Sequence, residues 1–245
     1  MSSSARKTKR SERAGPLERQ AAVSLRAASS TIARLERSSA RAIAAAAEAM
    51  IACLENGGTV FFCGNGGSAA DAQHLACELA GRYLLERPAL AAVALTTNTS
   101  SLTAIGNDFG FAEVFSRQLE GLGSPGDLLV ALSTSGGSPN VLKAIEVAHA
   151  MGLVVIGMTG MSGQRMAALC DHALVTPHTV TPRIQEGHIA MGHALCELVE
   201  RALFGARRAG GAMRGARASA RSARVTPPPR RSRDARPSPR ARRTR

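Results

Sequence analysis

The stretch LLVALSTSGGSPNVLKAI, residues 128–145, decides the fold. Leu128 to Leu132 is an apolar run of strand length with no polar alternation, so both faces of that strand must be covered. The run breaks at Ser133-Thr134-Ser135-Gly136-Gly137-Ser138. Helical spacing then begins at Pro139, a residue well suited to a first helical turn, and continues to Met151. A buried strand, a small polar loop and a helix form one unit of a parallel α/β sheet.

Working outward, the unit recurs. Thr59–Cys63 reads as a strand, Gly64-Asn65-Gly66-Gly67-Ser68 as its loop, and Ala69–Tyr83 as the helix after it. Ala91–Leu95 is a strand, followed by Thr96-Thr97-Asn98 and a helix to Ile105. Leu153–Met158 and His172–Val175 are further strands, with a short helix at Gln164–Leu169 between them. Pro182–Phe204 is a final amphipathic helix, and Leu17–Asn56 is one long helix or two, ended by Asn56-Gly57-Gly58. The expected class is α/β, a three-layer doubly wound parallel sheet with a long N-terminal helical segment. Ligands of such sheets bind beyond the carboxyl ends of the strands, where the loops 64–68, 96–98 and 133–138 lie.

Composition narrows the function. Of 245 residues, 44% are hydrophobic but only 3% aromatic, so the core is built mainly from Ala, Leu, Val and Ile. No apolar run is long enough to span a bilayer, and the basic start MSSSARKTKRSER is followed by no apolar stretch of a secretory signal. The net charge of +13 would suggest a nucleic-acid binder if it were spread over the domain. It is not: residues 207–245 hold 14 Arg and a single acid, Asp234. We divide the chain into a basic disordered leader (1–16), a folded domain (17–206) and an Arg-rich disordered tail (207–245). The tail is either a biased extension or an electrostatic, sequence-independent contact for nucleic acid. Cys53, Cys63, Cys77, Cys170 and Cys196 form no C-x-x-C pair and read as buried free thiols of a reducing compartment.

The loops carry the candidate chemistry. The serine-rich loop opens a helix, whose unpaired N–H groups and partial positive charge suit a phosphate, with hydroxyls adding donors. It has neither the Lys of a P-loop nor a G-x-G-x-x-G, so alone it also reads as a plain cap. The loop at Gly64–Ser68 holds the equivalent place after the first strand. His74 and Glu78, at i and i+4, share one helix face, either as a surface pair or as an acid–base or metal pair. Gln185 and His193 stand about 80° apart around the last helix and lean toward one cleft, whereas His188 points elsewhere.

Four segments, FFCGNGGSAADAQHLACELAGRY, LTAIGNDFGFAEVFSRQL, LLVALSTSGGSPNVLKAI and TPRIQEGHIAMGHALCELVE, together resemble the phosphoheptose isomerases of the sugar isomerase (SIS) fold. The resemblance runs from about residue 17 to 206. It implies interconversion of D-sedoheptulose 7-phosphate and D-glycero-D-manno-heptose 7-phosphate, an aldose–ketose isomerisation that leads to the heptose of lipopolysaccharide. It implies a cytoplasmic homotetramer with sites at subunit interfaces. It assigns the phosphate to Ser133, Thr134, Ser135 and Ser138, and the sugar to Asn65, Gly66, Gly67, Ser68, Asn107, Asp108 and Gln185. Glu78 and His193 match the acid–base pair. His74, Glu78, Gln185 and His193 match a zinc site described in some members. One departure is Pro182, where some members carry Asp before the R-I-Q-E motif. A rival within the fold is a non-catalytic SIS protein resembling the regulator that binds the bacterial replication initiator; those relatives tend to lack the acid–base pair. An isomerase acting on a pentose or hexulose phosphate is another.

Overall fold

The structure, a computed structural model, describes residues 15–205. The tail, and all of the leader except Gly15 and Pro16, lie outside the described residues. Gly15 caps and Pro16 begins a single helix, α1 (Pro16–Glu55), because nothing within the segment breaks it. Its C-terminal part buries Leu35, Ala46, Ala47, Met50 and Cys53, whereas Leu17, Val23 and Leu25 near its start are exposed.

The strands are β1 (Val60–Gly64), β2 (Ala92–Ala94), β3 (Leu128–Leu132), β4 (Val154–Gly160) and β5 (His172–Thr176). All pair in parallel in the order β2-β1-β3-β4-β5. The helices are α2 (Gly67–Ala80), α3 (Thr99–Asp108), α4 (Ser116–Leu122), α5 (Pro139–Ala150), α6 (Gln164–Ala167) and α7 (Thr181–Phe204). The stretch Phe111–Leu122, too short in its apolar spacing to announce an element, holds a 3-10 turn (Phe111–Glu113) and α4.

Strand alternation divides the core into two layers. Val60, Phe62, Leu128, Val130, Leu132, Ile156 and Met158 pack toward α1, α2 and α7. Phe61, Cys63, Leu129, Ala131 and Val155 pack toward α4 and α5. The direction of winding reverses between β1 and β3, which pair from Val60 with Leu128 to Gly64 with Leu132. That switch point opens a crevice at the carboxyl ends of the two strands, and both sequence-identified glycine and serine loops leave from it.

His188 is fully buried in α7 beside the Thr159 backbone, and among the described residues no side chain bonds either ring nitrogen. Burial lowers its pKa to about 4, which the Thr159 backbone only partly opposes. The unfolded chain therefore takes up this proton first as pH falls. Folding stability is expected to decline between about pH 6.5 and 4, by at most about 3 kcal/mol. Denaturant titrations at these pH values on wild type and His188→Gln check this, the variant losing that part of the slope.

Candidate active site

The two switch-point loops are bolted together. Asn65 and Asn140 exchange two amide hydrogen bonds, each of 2.8 Å, so the first residue after β1 and the second residue of α5 hold one another. Asn140 was not singled out from sequence; its partner is 75 positions away and no local signal marks it. Its carbonyl oxygen also accepts the Val141 N–H. Ser133 and Ser138 face each other across the serine loop with hydroxyls 3.1 Å apart. The Ser135 hydroxyl accepts the Gly137 N–H, and no side chain caps α5 at Ser138. The helix N-terminus and the loop hydroxyls thus lie together at the switch point. Gly136 makes that turn possible: its φ is +64°, and a Cβ there would stand 2.5 Å from the Gly163 Cα.

The second half of the site is built by two helices lying side by side in parallel. At their N-terminal ends, the Gln185 amide of α7 packs on Gly67 of α2, where any Cβ would collide with it. About two turns further on, Nε2 of His74 and Nε2 of His193 meet at 2.8 Å. Glu78 Oε1 lies 3.5 Å from the same His74 nitrogen. The structure therefore joins His74, Glu78 and His193, with His74 bonded to one and close to the other. Gln185 sits higher, on Gly67, with no bond tying it to the histidines. Asn107 and Asp108 end α3, exposed and hydrogen-bonded to each other. Ser68 is buried beneath the first loop, its N–H bonded to the Asn65 carbonyl.

Three features around the histidines went unread in the sequence. The Tyr83 ring lies 5.7 Å from that of His193. Asp71, one turn before His74, has a half-buried carboxyl with one unpartnered oxygen. Desolvation raises its pKa, and His74 opposes the shift. Cys77 is exposed, contrary to the expectation that all five cysteines are buried, and Cys170 is half-buried. Burial raises the thiol pKa of Cys53 to about 11 and those of Cys63, Cys170 and Cys196 to about 12.

The segment after α2 is held by a buried ion pair. Arg87 Nε bonds Glu200 Oε1 at 2.9 Å, and the Glu200 carboxylate also accepts the N–H groups of Tyr83, Leu84 and Leu85. Burial alone would raise this carboxyl's pKa; the Leu84, Leu85 and Tyr83 amides and Arg87 outweigh it and hold the pKa below the usual carboxylate value. A groove of about 570 Å³ runs along α5 past Glu113, Lys143, His149 and Arg165. It includes neither the loop hydroxyls nor His74 or His193, so convergence of side chains, not cavity size, locates the chemistry.

A doubly wound parallel sheet with a phosphate-suited loop at its switch point is the architecture of the SIS domain, and the SIS domain model matches residues 25–160. A phosphoheptose isomerase of Rhodospirillum rubrum is 63% identical over 164 residues, covering 67% of this chain and 87% of that relative. The structure of phosphoheptose isomerase GmhA from Neisseria gonorrhoeae superposes with a TM-score of 0.71 at 46% identity, covering 75% of this chain and 98% of that one. A phosphoheptose isomerase structure from Francisella tularensis gives 0.70 at 38% identity, with 75% and 97% covered. The chain belongs to the phosphoheptose isomerases of the SIS domain family.

Proposed function

We propose that this protein interconverts D-sedoheptulose 7-phosphate and D-glycero-D-manno-heptose 7-phosphate through an enediol. The observation that supports this most is the meeting of His193, His74 and Glu78 on two parallel helices beside the phosphate-suited crevice. The relatives' shared name does not favour the regulator reading, and the acid–base residues it tends to lack are all present.

Ser133, Thr134, Ser135 and Ser138, at the N-terminus of α5, hold the phosphate. Asn65, Gly66, Gly67, Ser68 and Gln185 line the path of the sugar chain. Asn107 and Asp108, exposed at the end of α3, line the sugar site in the family, whose sites lie between subunits. The exposed Leu17, Val23 and Leu25 of α1, and a groove of about 220 Å³ between α1 and α7, support an oligomer, which we take to be the family's homotetramer. Among the described residues, no helix is long and apolar enough to cross a membrane. We place the protein in the cytoplasm because its substrate is a phosphorylated intermediate.

Glu78 removes a C1 proton from the ketose, giving the enediol, and returns a proton to C2. His193 takes the proton from O1 and gives one to O2, a task for a group that titrates near neutrality. His74 fixes the tautomer of His193 through their Nε2–Nε2 contact, since one ring must donate and the other accept. A bound zinc ion would polarise the carbonyl and stabilise the enediolate. The donors suit it: the Glu78 carboxylate and the His193 imidazole each approach His74 Nε2, with Gln185 as the family's fourth ligand.

Incubation in D2O with sedoheptulose 7-phosphate, followed by NMR, is expected to give the aldose with deuterium at C2. Absence of conversion by folded protein would overturn the function. Gly136→Ala is expected to raise KM at least about tenfold with a smaller change in kcat, because a Cβ at this left-handed φ deforms the phosphate turn. Unchanged KM in steady-state assays would remove the serine loop from phosphate binding.

A further inference from the structure

We infer that Gly160 is a positioning residue that couples the phosphate loop to α7, so that a dianion held by the serine loop activates the isomerisation even when it arrives as a separate molecule from the sugar. The inference rests on the isomerase reading above and deepens it, giving the phosphate a second task besides anchoring. Gly160 ends β4 and stands between the two halves of the site. On one side its N–H donates to the Thr134 carbonyl at 3.2 Å, and the Ser133 N–H donates to the Met158 carbonyl at 3.0 Å. On the other side lies Ile184, in the first turn of α7. A Cβ at Gly160 would overlap the Ile184 Cδ1 and stand 3.0 Å from the Thr134 oxygen, so only glycine lets loop and helix approach this closely. The turn that follows repeats the contact. Gly163 donates its N–H to the Gly160 carbonyl, and its Cα faces Gly136 of the serine loop.

Both neighbours of Gly160 are firmly held. Ile184 is buried, and its carbonyl accepts the Thr176 hydroxyl of β5. It precedes Gln185, which packs on Gly67, and one turn later His188 lies beside the Thr159 backbone. His193 follows about 14 Å along the same helix. In the serine loop, the Ser133 and Ser138 hydroxyls bond each other, and that of Ser135 accepts the Gly137 N–H. A phosphate held by these hydroxyls takes over those bonds, and the backbone that carries them, Thr134 included, bears on Gly160. Close-packed atoms pass a shift there on to α7. Binding energy from the non-reacting end of the sugar is thereby used at the reacting end.

Tyr83, the only tyrosine of a chain without tryptophan, stands 5.7 Å from the His193 ring and reports on this part of α7. The test uses inorganic phosphite, its binding to the full chain measured by calorimetry. Saturating phosphite is expected to change Tyr83 emission and to raise turnover of unphosphorylated sedoheptulose at least about fivefold, the lower end of the usual coupling between sites. Gly160→Ala is expected to bind phosphite yet lose both responses. Ile184→Val, which withdraws only the methyl group facing Gly160, is expected to weaken both while leaving the phosphite-free rate unchanged. Tyr83 emission that ignores bound phosphite, or unchanged sedoheptulose turnover by an enzyme active on the 7-phosphate, would overturn the coupling. So would a protein that binds no phosphite, or full responses in both variants. A folded protein inactive on sedoheptulose 7-phosphate would overturn the isomerase reading, and Tyr83 emission would still decide the coupling.

Discussion

Glu78→Gln and His193→Asn are each expected to lower kcat for the heptulose phosphate by about 10²–10⁴-fold, the usual contribution of a positioned acid or base. KM is expected to move little, because neither group holds the phosphate. The double variant should lose scarcely more than the worse single one, since both serve the same proton transfers. Both side chains are partly open to solvent, so circular dichroism and thermal melts should resemble wild type. Steady-state kinetics decide the matter. A kcat within about threefold of wild type for either variant would remove that residue from the chemistry.

The largest effect on stability is expected at Glu200. Its carboxylate satisfies Arg87 and three consecutive backbone N–H groups, and the ion pair is almost wholly buried. Glu200→Ala leaves an unpaired buried guanidinium and orphaned amides, a loss of about 3–5 kcal/mol. Adding Arg87→Met should recover only part of it, because the amides of Tyr83, Leu84 and Leu85 still lack an acceptor. Since Tyr83 stands beside His193, the same variant should lower kcat modestly. The Glu200 pKa is lowered in the folded state, so its stabilisation is complete above the unfolded glutamate value and is lost as pH falls from about 4.3 through the folded pKa. This acid loss lies below the one assigned to His188. Denaturant melts from pH 7 to 3 check both. Glu200→Ala melting like wild type would show that the clamp contributes little.

What was legible in the sequence follows from what is local. Strands β1 and β3 are continuous apolar runs ending in small polar loops, so their type and the position of both loops could be read directly. Helix α4 was missed because its seven residues are too few for a helical period to show, and its buried Leu119 stands alone within it apart from Ser116. The order of strands, and hence the switch point, depends on pairing between distant segments. So do the Asn65–Asn140 lock, the Tyr83–His193 contact and the Glu200 clamp, whose partners lie 75 to 117 positions apart. The i, i+4 spacing put His74 and Glu78 on one face, but the arrival of His193 on that face came from the resemblance. Cys77 shares their face at i+3; it was set aside as buried because cysteine usually is.

The most direct test is kcat/KM for sedoheptulose 7-phosphate beside pentulose and hexulose phosphates, on the metal-loaded full chain. The expected result is clear turnover of the heptulose phosphate, with the shorter ketose phosphates handled much more slowly. A folded protein that binds inorganic phosphate yet turns over a shorter ketose phosphate, and leaves the heptulose phosphate untouched, would contradict the assignment.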